Sequence, residues 1–156
     1  MRFSLLLLAA ALSLPMRAAG AQASDAEVTY LGRDQVTAAF AKGVPMLEVG
    51  DYKIHASRRE GPGLAEIHTR DTDIAYILQG SATLVTGGAA VGVKETGPEE
   101  FRGTAIEGGE TRDLAPGDVV VIPNGTPHWF KSVKGPLLYY VVKVRQASRE
   151  TASGAM

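Results

Sequence analysis

"GDVVVIPNGTPHWF", residues Gly117 to Phe130, places four apolar, β-branched residues before a Pro-Asn-Gly turn. Val119 to Ile122 read as a short buried strand. Pro123 fixes one backbone angle, and Asn124-Gly125 tolerate the left-handed conformations a tight bend requires. A second strand then opens on His128. A histidine set immediately after a rigid turn has a defined position.

A second stretch carries the complementary feature. "GLAEIHTRDTDIAYILQG", residues Gly63 to Gly80, holds another of the chain's three histidines. In a strand, residues two apart share a face. Glu66 and His68 therefore project together, while Ile67 faces the other way. Asp73 lies beyond the turn "TRDT", where a hairpin returns it towards His68. Two imidazoles and two carboxylates form a sound donor set for a divalent first-row metal.

Outward from these stretches the chain is strand-rich. "MLEVGDYKIHASRRE" alternates in part, and "GLAEIHT" is a short strand. "IAYILQGSATLVTGG" reads as two strand segments around Gln79-Gly80, and "GPLLYYVVKVRQ" as a final apolar strand. The region "AAVGVKETGPEEFRGTAIEGGETRDLAPGD" is dense in glycine, proline and charge. It reads as a long loop or hairpin excursion, with at most a short strand at "GTAIEGG". One helix is expected, capped by Asp34, formed by "QVTAAFAK" and ended by Gly43, with Val36, Ala39 and Phe40 on one face. Evenly spaced strands separated by turn signals indicate a β-barrel or sandwich.

The two stretches together resemble the cupin superfamily. The first cupin motif runs His-x-His, three or four residues, Glu, six residues, Gly. Here it stands as Glu66-Ile67-His68, four residues, Asp73, six residues, Gly80. The second motif runs Gly, five residues, Pro-x-Gly, two residues, His, three residues, Asn. Here Gly117, Pro123, Gly125 and His128 fall at those offsets, followed by Ser132. The departures are Glu66 for the first histidine, Asp73 for glutamate and Ser132 for asparagine; the leading glycine is displaced to Gly61. The resemblance implies an all-β, single-domain jelly-roll β-barrel with a short N-terminal helix. Carried over by position, it implies a divalent metal (Fe, Mn, Ni or Zn) on Glu66, His68, Asp73 and His128. It also implies a homodimer formed through edge strands.

Other residues bear on a pocket. His55, on the same strand face as Lys53 and opposite Tyr52, is a candidate general acid or base because imidazole titrates near neutrality. A surface histidine is the plainer alternative. Arg58 and Arg59 are candidate substrate-binding residues for a carboxylate, since guanidinium donates two parallel hydrogen bonds; a solvated strand end is the plainer reading. Tyr76 is out of step with Asp73 and is expected to face outward. One member of each pair Trp129/Phe130 and Tyr139/Tyr140 is expected to pack inside.

The full chain has 156 residues, a net charge of −1 and no cysteine. Thiolate chemistry and lipoprotein anchoring are thereby excluded, and no basic face suggests nucleic acid. Met1 and Arg2 open a basic start, followed by the apolar run "LLLLAAALSL", too short to span a bilayer, and by "PMRAAGAQA". Residues 1–23 are read as a signal peptide cleaved after Ala23, which places the protein in the periplasm or outside the cell, with no membrane partner after cleavage. Residues 24–44 form an N-terminal segment with the helix, 45–146 the barrel, and 147–156 a polar tail expected to be disordered.

Three functional readings follow. The first is a metal-dependent enzyme, an isomerase, lyase or dioxygenase, acting on a small oxygen-rich molecule. The second is a non-catalytic small-molecule-binding module. The third is a structural or interaction protein that retains only the barrel. The barrel alone does not separate them, because many chemistries share it.

Overall fold

The computed structural model describes residues 27–146. The leader reading for residues 1–23 and the tail reading for 147–156 lie outside them. Contacts divide the chain after Tyr30. The described part of the first unit, residues 27–30, is exposed and has neither helix nor strand. Among the described residues the second unit is all-β apart from one helix, as the sequence indicates.

That helix, α1, spans Arg33–Lys42. Gly32 is its N-cap rather than Asp34, which sits within the first turn; the Gln35 side chain accepts from the Gly32 N–H at 2.9 Å. Gly43 ends it in the left-handed conformation. Ala39 is buried, and Val36 and Phe40 are half-buried on the same side.

Eleven strands follow: β1 (Pro45–Glu48), β2 (Tyr52–Arg59), β3 (Ala65–His68), β4 (Asp71–Thr86), β5 (Ala89–Val91), β6 (Lys94–Gly97), β7 (Glu100–Gly103), β8 (Ala105–Glu107), β9 (Glu110–Leu114), β10 (Val119–Ile122) and β11 (His128–Arg145). The region expected to be mostly loop therefore holds five short strands. Each is three to five residues long, and charges and turn residues mask their alternation.

The spine is the antiparallel pair β4–β11. Along its other edge β4 pairs with β10 through residues 73–76 and with β9 through residues 82–86. One half of β11 pairs with β2, and His128 at its start pairs with Glu66 of β3. The sheet continues through β7 to β6, while β5 and β8 form a separate two-stranded sheet.

The segments expected to be two strands on either side of Gln79-Gly80 are one bent strand. Asp73, Ala75 and Ile77 are buried and alternate with exposed Ile74, Tyr76 and Leu78. Beyond Gly80 the phase reverses, and Ala82 and Leu84 are buried. Likewise β11 buries His128 and Phe130, then Leu137, Tyr139 and Val141, with register shifts opposite Gly80. A bulge that adds a residue exchanges the two faces without ending the strand.

The inner faces of β4, β9, β10 and β11 enclose the main core, which includes Ile77, Leu84, Leu114, Phe130 and Tyr139. Outside, Phe40 of α1 packs on Tyr140 at 6.1 Å between ring centroids. On β4 and β10 the outer residues Ile74, Tyr76, Leu78, Val119 and Val121 are exposed. Among the described residues no helix is long and apolar enough to cross a membrane.

Gly80 has φ +78°, and a Cβ there would stand 2.5 Å from the Pro136 carbonyl oxygen. Gly80→Ala is expected to destabilise the fold by more than the ~1–2 kcal/mol of left-handed strain alone. Gly50→Ala, where a Cβ meets nothing within 4 Å, is expected to leave the urea midpoint nearly unchanged.

Candidate metal centre and cavity

The two stretches that stand out in the sequence are hydrogen-bonded to each other. The Gly125 N–H donates to the His68 carbonyl at 2.7 Å, and Asn124 Nδ2 donates to the Thr69 carbonyl at 3.0 Å. The Pro-Asn-Gly turn thus sits on the β3–β4 connection and carries His128 to it. From the other side, the Thr69 N–H donates to the Glu99 carbonyl at 3.0 Å, which docks the β6–β7 turn and brings Glu100 to His68.

Each imidazole is oriented through Nδ1. His68 Nδ1 lies 2.7 Å from Glu100 Oε2, and His128 Nδ1 lies 3.1 Å from the Thr126 carbonyl. An ionised carboxylate and a carbonyl only accept, so both Nδ1 atoms carry the proton in a neutral ring. Both Nε2 lone pairs are left for the interior. His68 Nε2 is buried without a hydrogen-bond partner. It lies 3.6 Å from Glu66 Oε2 and 3.6 Å from Asp73 Oδ2, while His128 Nε2 is 4.0 Å from Asp73 Oδ2.

Glu66, His68 and His128 present ligand atoms that all lie within 4.8 Å of one another. Asp73 stands outside that trio but beside both histidines. Atoms bound at ~2.1 Å to one ion are roughly 3–3.5 Å apart; the two 3.6 Å separations from His68 are close to that, while 4.0 Å from His128 to Asp73 and the 4.8 Å limit of the trio are wider. A set of acceptors facing one point, with no donor among them, suits a cation.

The carboxylates are already charge-paired. Arg59 Nη2 donates to Glu66 Oε1 at 2.6 Å, and Arg102 Nη2 is 3.7 Å from Glu66 Oε2. Burial works to raise the Glu66 carboxyl, but Arg59, by charge and hydrogen bond, and then Arg102 outweigh it and hold the pKa below the ordinary value. Lys143 Nζ donates to both Asp73 oxygens at 2.7 Å. Glu100 also accepts from Arg102 at 3.1 Å. Three carboxylates therefore face three cations.

Beside the centre lies a cavity of about 180 Å³. Its apolar wall includes Ala75, Ile122, Phe130 and Val141, and its polar wall His55, Ser57, Tyr139 and Lys143. His55 lines it, with Nδ1 3.1 Å from Ser57 Oγ. Burial, then Lys143 and Lys53, push the His55 pKa below the usual histidine value. Arg59 lines the cavity too, bonded to Glu66 and to the Tyr139 hydroxyl and lying over the Phe130 ring. Arg58, one residue out of step, does not line it and pairs with Glu60. Trp129 donates to the Gly63 carbonyl at 2.8 Å.

Sequence reasoning missed Lys143, Glu100, Arg102 and Ser57. Lys143 had a signal: it shares strand parity with Tyr139 and Val141, an inward position for a charge. Glu100 and Arg102 had none, because their strand was itself hidden.

The family profile described as Cupin matches residues 32–155. No curated protein matches the chain. Among solved structures, a Bacillus halodurans protein is 14% identical with TM-score 0.55; the match covers 76% of this chain and 82% of that one. Hydroquinone 1,2-dioxygenase from Sphingomonas sp. TTNP3, with 4-hydroxybenzoate bound, is 16% identical with TM-score 0.50, over 67% of this chain and 66% of that one. At these identities the likeness is one of fold.

Burial pushes the His128 pKa down; the Thr126 carbonyl and nearby carboxylates raise it, without offsetting burial and His68. The unfolded chain then binds more protons than the folded one as pH falls through the ordinary histidine value, so stability is lost in that direction. In chelator-treated protein the urea midpoint is expected to fall between about pH 7.5 and 5.5. His128→Gln should flatten that slope in part, His55 retaining a share of it. Below the ordinary carboxylate range, the loss of Glu66 ionisation adds a second decline.

Proposed function

Because the chain belongs to the cupin family, we propose that it is a metal-dependent enzyme acting on a small oxygen-rich molecule in the barrel cavity. Glu66, His68, Asp73 and His128 are the proposed ligands, and Fe, Mn, Ni or Zn the metal. The observation that carries this reading is the buried, unpartnered Nε2 of His68, facing two carboxylate oxygens at 3.6 Å.

A divalent ion held there supplies Lewis acidity, or redox chemistry in the case of iron, as an isomerase, lyase or dioxygenase requires. The chain's own residues do the rest. Glu100 and the Thr126 carbonyl hold the two imidazoles in the ligating tautomer. The apolar side chains Ala75, Ile122, Phe130 and Val141 give that cavity a wall that offers water no side-chain hydrogen bond. His55, with Nδ1 engaged by Ser57, presents Nε2 for proton transfer, and its lowered pKa keeps it a neutral base near pH 7. Arg59 fixes Glu66 and is a positioning residue rather than a free anion receptor.

One observation favours a second reading, a non-catalytic binding module. Both oxygens of Asp73 are held by Lys143, so the ligand set is charge-balanced without a metal.

We also propose export, with cleavage after Ala23, and a homodimer formed through β4 and β10. The five exposed apolar side chains there form an uncharged patch on the order of several hundred Å². β10 is an edge strand among the described residues. Two copies of such a face match across a twofold axis without opposing like charges.

Protein from the periplasmic fraction, its intact mass beginning at Ser24, is expected to contain near-stoichiometric metal by elemental analysis. His68→Ala should lower occupancy to a small fraction with unchanged far-ultraviolet circular dichroism; unchanged occupancy would remove His68 from the ligand set. In sedimentation, the wild type is expected as a dimer and Val121→Lys as a monomer. A monomeric wild type would exclude the interface.

A further inference from the structure

Lys53 and Lys143 are direct cross-strand partners on β2 and β11. Like charges directly opposite each other oppose pairing; of the two, Lys143 lines the cavity and Lys53 lies outside its wall. Each ammonium has one carboxylate. Lys53 has Glu48 at 3.0 Å, whose side chain is 58% exposed. Lys143 has Asp73 at 2.7 Å to both oxygens, and these two side chains are only 18% and 10% exposed. The surface pair is weak and screened; the inner pair is tight.

Asp73 has a second claim on it. The Oδ2 that Lys143 holds is also the oxygen 3.6 Å from His68 Nε2 and 4.0 Å from His128 Nε2. We propose that Lys143 is an anion-binding residue held in reserve by Asp73: a divalent ion at the histidines draws Oδ2 away, and the released ammonium, with Lys53 opposite, receives a small carboxylate in the cavity. This rests on the metal reading above.

The charge count sets the sign. Glu66, Asp73 and Glu100 balance Arg59, Arg102 and Lys143 while both imidazoles are neutral. A divalent ion leaves the site with two uncompensated positive charges in a confined, partly apolar space. Coordination through Oδ2 leaves Lys143 only Oδ1, and the carboxylate charge is then shared with the ion. The remaining compensation comes from a ligand. Both lysines are near enough to His55, which lines the same cavity, to depress its pKa. Other charged groups close by are Arg59, tied to Glu66, and Glu48, at the exposed edge. Metal and carboxylate thus bind cooperatively, and the carboxylate class follows from the ammonium pair rather than from the metal alone.

The test is calorimetric titration of chelator-treated full-length mature protein with Mn(II), followed by malonate. Wild type is expected to bind malonate about tenfold or more tightly when loaded with Mn(II) than when metal-free. Lys143→Met should bind Mn(II) at least as well, having lost a competitor for Asp73, yet lose about tenfold or more in malonate affinity when loaded. Lys143→Arg should restore most of that affinity. Asp73→Asn, which frees the ammonium without metal, should bind malonate more tightly than metal-free wild type. Circular dichroism checks each fold; if Lys143→Met does not fold, the Asp73→Asn comparison decides. Stoichiometric Mn(II) binding with equal malonate affinity in wild type and Lys143→Met, or no gain in Asp73→Asn, overturns this role and leaves the metal reading standing. No binding of Mn(II) or Zn(II) by wild type overturns both.

Discussion

The contact on which the rest of the site depends is the 2.7 Å hydrogen bond from the Gly125 N–H to the His68 carbonyl. Ligands from β3 and β11 are 60 residues apart in sequence, and strand pairing alone brings them together only at His128 opposite Glu66. The turn bond, seconded by Asn124 Nδ2 to Thr69, ties the entry of β11 to the exit of β3. It also fixes the Thr126 carbonyl that orients His128. The first of these bonds is backbone to backbone and the second reaches a backbone carbonyl, so the two histidines are set by the course of the chain and not by their own rotamers alone.

Buried charge is the second constraint. Three carboxylates and three cations within one barrel would be costly if any member were unpaired. Each one is paired by short, directional bonds: Arg59 with Glu66, Arg102 with Glu100, Lys143 with Asp73. Beside them the Nε2 of His68 has neither a donor to accept from nor water-facing surface; among the described residues Arg70 Nε is the other buried side-chain atom without a partner. At the site itself, one lone pair faces two acceptors among groups that are otherwise paired, and the electrostatic demand left there is for a cation.

The sequence made much of this legible because strand geometry has a period of two. The parity of Glu66 and His68, of His55 and Lys53, and the outward turn of Tyr76 are direct consequences of it. The offsets between Gly117, Pro123, Gly125 and His128 carried the fold. Parity failed where its phase changes. The bulge at Gly80 and the shifts near Gly135 reverse the inward set along β4 and β11, so two long bent strands read as four. Pattern reading was weakest in residues 89–114, where strands of three to five residues bury little and alternate between charge and glycine. Glu100 and Arg102 were lost with them. Their pairing with β3 comes from the docking of the Glu99 turn on Thr69, a long-range bond with no local signature.

Strand alternation also explains how so small a barrel separates its tasks. On β2, Ala56 faces outward and its N–H bonds the Val44 carbonyl at the end of the helix segment, while His55, Ser57 and Arg59 face the cavity. On β4, Asp73 reaches the centre while Ile74 and Tyr76 lie in solvent. On β11, Lys143 shares its inward face with Val141 and Tyr139, so charge and apolar wall come from one strand. A ligand in this cavity meets side chains carried on paired strands, and those that bear charge are held by partners on neighbouring strands. Selectivity must then arise from which partner a carboxylate keeps. Asp73, placed between Lys143 and two imidazoles, is the residue at which that choice is made.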